Sequence, residues 1–193
     1  MGLRVFIADD EPLTRMDLRE MLEEEGYEVV GEAGDGFDAV EGCKKLDPDI
    51  VLMDIKMPLL NGIKAAEILK REGFTGCIIM FTAYNDSSFI DGASKNGVMG
   101  YFVKPIDERT FIPNLKILYS RKLELKNSAS EVAKIKEKLE ERKKVEKAKG
   151  IIMNIKEVSE SEAYEYLRKL SMDKRVSLSK IADIVIMSEG TVC

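Results

Sequence analysis

Ile50-Val51-Leu52-Met53 runs without a polar residue into Asp54, and Pro58 stands four residues further on. No other stretch restricts the fold so tightly. A short, unbroken apolar run reads as a strand buried on both faces, as in a parallel sheet. Pro58 forbids its continuation. Asp54 is thereby placed at the carboxyl end of a buried strand, where open α/β sheets carry their chemistry.

The same pattern repeats on either side. Leu3 to Ala8 reads as a strand closed by Asp9-Asp10-Glu11, and Glu28 to Ala33 as a second. After Ile50 to Asp54 come Cys77 to Thr82 and Val98 to Val103, the last ending at Lys104-Pro105. Between them lie segments of helical period: Leu13 to Glu25, the turn at Gly34-Asp35-Gly36 to Leu46, Asn61-Gly62 to Glu72, and Asn85 to Asn96. Such alternation predicts an α/β domain over residues 1–120, a doubly wound five-stranded parallel sheet.

All carboxyl ends of a parallel sheet lie along one edge, so Asp9, Asp10, Asp54, Thr82 and Lys104 can converge there. Carboxylates gathered in one crevice repel unless a cation joins them. An oxygen-only donor set favours Mg2+, which would also screen an incoming phosphoryl group. Lys104 can neutralise phosphate and the Thr82 hydroxyl can donate to it. Asp54 is then the nucleophile that forms an acyl phosphate. Each residue taken alone reads as a cap, a turn former or a solvated lysine. Five on this spacing do not.

Asp9-Asp10-Glu11-Pro12, Asp54-Ile55-Lys56-Met57-Pro58, Asn61-Gly62, Thr82-Ala83 and Lys104-Pro105 together resemble a response-regulator receiver domain, a flavodoxin-like fold. The resemblance covers the whole first half. It implies that Asp54 is the phospho-acceptor and that Asp9, Asp10, Asp54 and the backbone carbonyl of Lys56 hold Mg2+. It also implies that Thr82, Ala83, Tyr101 and Lys104 form the phosphate-binding and switch group, with a cis Lys104–Pro105 peptide. A sensor histidine kinase would be the phosphoryl donor. The chain has no histidine of its own, which excludes His-based acid/base catalysis and an internal phosphohistidine relay.

No apolar run approaches the ~20 residues of a membrane span, and Asp9 and Asp10 come too early for a signal peptide. Cys43, Cys77 and Cys193 lack metal-like spacing. A cytoplasmic protein with no membrane partner is expected. Charge divides the chain: residues 1–120 hold 13 Lys and Arg against 22 Asp and Glu, a balance of −9, and residues 121–193 hold 17 against 13, a balance of +4. Two domains with different partners are expected, the second polyanionic.

The second half opens on a helix beginning near Glu108. Neither Pro nor Gly occurs between Leu115 and Gly150. Leu118, Leu125, Val132 and Leu139 recur every seven residues, with Ile135 three after Val132 and Ser128 and Arg142 interrupting the seam. A lone helix would leave that stripe exposed, so residues 121–146 read as a parallel coiled-coil linker, a homodimer held by Leu125, Val132, Ile135 and Leu139. Ala148 to Met153 is expected to end the long helix. Ser159-Glu160-Ser161-Glu162 is a capping box, and Ser177 caps a third piece, giving a small three-helix bundle over 147–193.

Ala148-Lys149-Gly150, Met153, Ser161-Glu162-Ala163-Tyr164, Leu167-Arg168 and Ile181-Ala182 resemble the ANTAR domain, the RNA-binding module of transcription antiterminators. The resemblance implies that Lys149, Met153, Tyr164, Arg168, Lys169, Ser171 and Arg175 meet hairpin RNA in an mRNA leader. Tyr can stack on an unpaired base and Arg and Lys can meet phosphates and base edges. Tyr164 reads equally as partly core, and Lys149 as solvated. The function expected is a two-component response regulator in which phosphorylation at Asp54 promotes dimerisation and hairpin binding, causing antitermination. It is not an enzyme beyond slow autodephosphorylation. Two alternatives stand beside it. One is a relay or docking protein whose tail only dimerises. The other is a DNA-binding regulator, since Ser177 to Ala182 and Ser188 to Val192 resemble a helix-turn-helix. Cys193 stands about one turn into that recognition helix, too short a stretch to read a groove, and the alternative recovers if the helix continues beyond it.

Overall fold

A computed structural model describes residues 2–83 and 97–188, without the side chains of Thr82 and Ala83. The helix expected at Asn85 to Asn96 and the tail beyond Ser188 lie outside the described residues. The chain divides into two compact units between Leu125 and Lys126.

The first unit contains strands β1 (Arg4–Ala8), β2 (Glu28–Ala33), β3 (Ile50–Asp54), β4 (Cys77–Ala83) and β5 (Val98–Lys104), with helices α1 (Pro12–Glu24), α2 (Gly36–Leu46) and α3 (Gly62–Arg71). The strands form one parallel sheet in the order β2-β1-β3-β4-β5. Helix α1 opens at Pro12, one residue before the expected Leu13, because proline at the first helical position has no amide to leave unsatisfied. All five residues of β3 are buried. Val51 and Met53 face one core with Val40, Cys43, Ala65 and Leu69 from α2 and α3. Ile50 and Leu52 face a second with Leu18 and Leu22 from α1 and Phe111, Ile112 and Leu115 from the following helix. Full burial of each such side chain contributes about 1.5–3 kcal/mol. A central apolar strand is therefore the most costly element to displace, and Asp54 is fixed at its end.

Helix α4 runs from Glu108 to Lys156, which corrects the expected stop at Ala148 to Met153. Gly150 does not adopt a left-handed conformation there. The reversal comes at Glu157, at φ 52°. Continuing the helix lets Ala148 and Ile152, one turn apart, both enter the second unit's core. Leu118 is also corrected. It shares the heptad spacing but packs on the first unit's core, over Gly100 of β5. Leu125, Val132, Ile135 and Leu139 are between 52% and 60% exposed, the exposed stripe a seam requires.

In the second unit, Ala148 and Ile152 of α4 pack with Ala163 and Leu167 of α5 (Glu160–Lys174) and Ile181, Ala182 and Val185 of α6 (Leu178–Met187). The capping box is formed: the Ser159 amide donates to Glu162 Oε2 at 2.9 Å and the Glu162 amide to Ser159 Oγ at 3.3 Å. The Ser177 hydroxyl accepts from the Lys180 amide at the start of α6.

Candidate functional site

The site is built on strand ends. In register, Ala8 of β1 pairs with Met53 of β3, and Asp54 pairs with Phe81 of β4. Asp9, immediately after β1, therefore comes beside Asp54. Asp9 is wholly buried and Asp54 is 5% exposed. Two buried carboxylates need a cation, and Lys104 at the end of β5 supplies one. Its Nζ lies 2.7 Å from Asp9 Oδ2 and 2.9 Å from Asp54 Oδ1. The second Asp54 oxygen accepts the Lys56 amide at 2.7 Å. Asp9 Oδ1 accepts the Glu11 amide at 3.0 Å.

These contacts set the charges. Burial pushes the Asp54 carboxyl above its ordinary value, against the pull of the Lys104 hydrogen bond and charge. Burial draws the Lys104 ammonium down, but its bonds to Asp9 and Asp54 outweigh this and the net displacement is upward. The Asp54 carboxylate is thus a desolvated anion held open by one ammonium and one amide, an arrangement suited to nucleophilic attack.

Glycine placement supports the same geometry. A Cβ on Gly62, the first residue of α3, would lie 2.1 Å from the Asp54 carbonyl oxygen. The Gly62 amide donates to the Ile55 carbonyl at 3.0 Å, and the Asn61 side chain caps α3 by accepting from the Lys64 amide at 2.9 Å. The turn at Asn61-Gly62 is plain in the sequence, whereas this contact depends on which backbone it faces. Arg15 also reaches this site. Its Nη1 donates to the Asp9 carbonyl at 2.6 Å while its Nε meets Glu32 at 3.2 Å. One turn before Arg19 on the same helix, it carries no sequence signal of its own.

Of the other receiver residues, Asp10 is exposed and Tyr101 is 46% exposed. The Lys104–Pro105 peptide is cis. Thr82 and Ala83 end β4 in register with Val103 and Lys104, and their side chains lie outside the described residues. Among the described residues, no three carboxylates gather closely enough to cage a metal ion. The donor set still fits Mg2+. Asp9 and Asp54 already share one cation, and Mg2+ commonly takes one or two carboxylates and completes its shell with water.

The candidate RNA residues separate into two groups. Tyr164 is 41% exposed, and Arg168, one turn on, is exposed with an ion pair to Glu165 at 3.4 Å. Lys169 and Arg175 are exposed, Arg175 closing α5 at φ 53°. Lys149, Met153 and Ser171 turn inward. Lys149 is 7% exposed, with Nζ 2.8 Å from Glu146 and 2.6 Å from Glu160. Met153 packs on the bundle core. The Ser171 hydroxyl donates to the Val176 carbonyl at 2.6 Å.

Residues 5–116 match the response regulator receiver domain and residues 133–186 the ANTAR domain. The transcriptional regulatory protein PdtaR of Mycobacterium tuberculosis is 42% identical over 188 residues, 97% of this chain and 91% of that protein. The chemotaxis protein CheY of Thermotoga maritima is 43% identical over 105 residues, 54% of this chain and 88% of its own. Among solved structures, the response regulator domain of Thermotoga maritima CheB superposes with a TM-score of 0.57 at 30% identity. That match covers 64% of this chain and 98% of the other. No helix among the described residues is long and apolar enough to cross a membrane.

Proposed function

Because the chain belongs to the response-regulator family, as a receiver domain followed by an ANTAR domain, we propose that it is an antiterminator switched by phosphorylation of Asp54. The carrying observation is Asp54 itself: buried at the end of β3, desolvated, with both oxygens held by Lys104 and the Lys56 amide.

A sensor histidine kinase presents a phosphohistidine. An Asp54 oxygen attacks phosphorus, the P–O bond forms as the P–N bond breaks, and the imidazole takes up a proton. Asp9, Asp10, Asp54 and the Lys56 carbonyl would hold Mg2+, which supplies positive charge against the transferring phosphoryl oxygens. Lys104 keeps Asp54 ionised before transfer and binds the phosphate after it. Thr82, with Ala83 beside it, and Tyr101 are the residues that respond, the hydroxyl moving to the phosphate and the ring turning inward. Hydrolysis of the acyl phosphate resets the site slowly, with no other enzymatic activity.

The phosphorylated receivers permit pairing of α4 along Leu125, Val132, Ile135 and Leu139, whose exposure supports this reading. A dimer carries two bundles and engages two hairpins of one leader transcript, the second at high effective concentration. Tyr164 and Arg168, the outward pair on α5, are assigned to a loop base and its neighbours, with Lys169 and Arg175 nearby. The test is a titration of phosphorylated and unphosphorylated protein with one-hairpin and two-hairpin RNAs. The expected result is tighter binding of the two-hairpin RNA after phosphorylation. Binding of neither RNA above a duplex DNA of equal length would refute the reading.

A further inference from the structure

The exposed stripe on α4 carries a direction and an alignment. Leu125, Val132 and Leu139 repeat every seven residues and so hold the first core position of successive heptads. The second core positions, three residues on, are Ser128, Ile135 and Arg142. The four apolar residues are each more than half exposed, and Ser128 and Arg142 are exposed beside them.

Two such helices can pair aligned, offset or reversed. Parallel and without offset, every core residue meets its own copy. Leu125, Val132, Ile135 and Leu139 then make four apolar layers, and the polar residues meet only each other. An offset of one heptad sets one copy's Ile135 against Arg142 and the other's against Ser128. Two apolar layers remain, Leu125 on Val132 and Val132 on Leu139. In a reversed pair, first positions face second ones. Ile135 is the sole apolar second position in this stretch, so at most two layers are apolar. Burial therefore favours the aligned parallel pair over both others.

The flanks agree with that arrangement. In a parallel coil the residue just before a first core position reaches the residue five further on in the partner. Glu131 therefore meets Lys136 of the second copy, twice by symmetry. Both are exposed, and neither forms an ion pair within its own chain among the described residues. One heptad further the match fails. Lys138 would meet Lys143, and Arg142 follows Leu139 in the core. Apolar layers and opposite charges end together, which points to a second copy of this chain as the occupant.

We propose that α4 pairs with α4 of a second copy in parallel and without offset over residues 125–139, with Glu131 and Lys136 as the ion pair that selects this partner and alignment. The assignment rests on the phosphorylation-controlled dimer proposed above and names how its two helices meet.

The test uses the full chain, phosphorylated by a small-molecule phosphodonor, with dimer dissociation constants from sedimentation. Glu131→Lys and Lys136→Glu are each expected to weaken the dimer about threefold to thirtyfold, since each turns two opposite-charge contacts into like-charge ones. Glu131→Lys combined with Lys136→Glu is expected to return to within about twofold of the parent, which a folding defect would not do. In about 1 M salt the single variants should approach the parent, because the Debye length falls to about 3 Å. Single variants that dimerise like the parent at low salt overturn the proposal. So does a combined variant as weak as the singles, which would mean a reversed or offset pair. If the unsubstituted protein stays monomeric on phosphorylation, the dimer reading itself fails, and this assignment with it.

Discussion

Replacing Gly62 by alanine tests how tightly Asp54 is held from behind. The new Cβ would sit 2.1 Å from the Asp54 carbonyl oxygen, 3.0 Å from its carbonyl carbon and 3.1 Å from Met53 Cγ. Ordinary contact begins near 3.4 Å, so α3 and the end of β3 must part by about 1 Å. Two costs follow. Overpacking of a well-filled site is worth about 1–3 kcal/mol. The Gly62 amide's 3.0 Å bond to Ile55 stretches, worth about 0.5–1.5 kcal/mol. Better helix propensity returns less than about 1 kcal/mol. The net expectation is a loss of about 0.5–4.5 kcal/mol. With a urea m-value of about 2 kcal/mol/M, the receiver's midpoint falls by roughly 0.25–2 M. Phosphorylation by a small-molecule phosphodonor should slow as well, because Asp54 shifts relative to Lys104. Urea titration followed at the receiver, with the labelling rate measured in parallel, decides it. A midpoint within about 0.2 M of the parent together with an unchanged rate would show that α3 does not hold Asp54 in place.

Asp54→Asn should abolish acyl-phosphate formation. It should also change the pH dependence of stability in a defined direction. Burial raises the Asp54 carboxyl in the folded state, so its ionisation costs the fold free energy as pH rises from the ordinary value of 3.8 through the folded one. The stability of the Asn protein relative to the parent should therefore increase across that window, as melting temperatures in a pH series would show. Val132→Glu with Leu139→Glu places charges on the exposed stripe of α4. Sedimentation should show no dimer on phosphorylation, and persistence of the dimer would put the seam elsewhere. Leu167→Ala, wholly buried in the seven-residue bundle core, should cost about 2–5 kcal/mol and unfold the bundle while phosphorylation at Asp54 proceeds normally. A bundle transition that does not move would contradict the packing.

Much of this architecture is legible in the sequence. The unbroken run Ile50 to Met53 reads only as a doubly buried strand, and β3 has the expected bounds. The convergence of Asp9, Asp54 and Lys104 follows from parallel topology, since consecutive strand ends must share an edge. What the sequence hides is the direction of neighbouring side chains. Asp9 and Asp10 look alike, yet one is wholly buried and the other exposed, because the turn after β1 sends them opposite ways. Lys149 reads as solvated because its partner Glu160 is 11 residues away, on another helix. Leu118 keeps a heptad spacing that serves the receiver core and not the seam, a distinction set by where the sheet ends. Gly150 looks like a stop signal, and only its backbone conformation shows that the helix passes through it.

Gly100 and Tyr101 are neighbours on β5, and a strand sends successive side chains to opposite faces. A Cβ on Gly100 would stand 2.7 Å from Leu118 Cδ1, so helix α4 rests on bare strand backbone with no side chain between them. Tyr101 stands on the other face, half exposed. There is no cushion in that joint. Close-packed interiors transmit strain instead of absorbing it, so a shift of β5 would be passed directly to Leu118. On the proposed reading, the missing side chain would be the bearing through which a turn of Tyr101 reaches the first turns of α4.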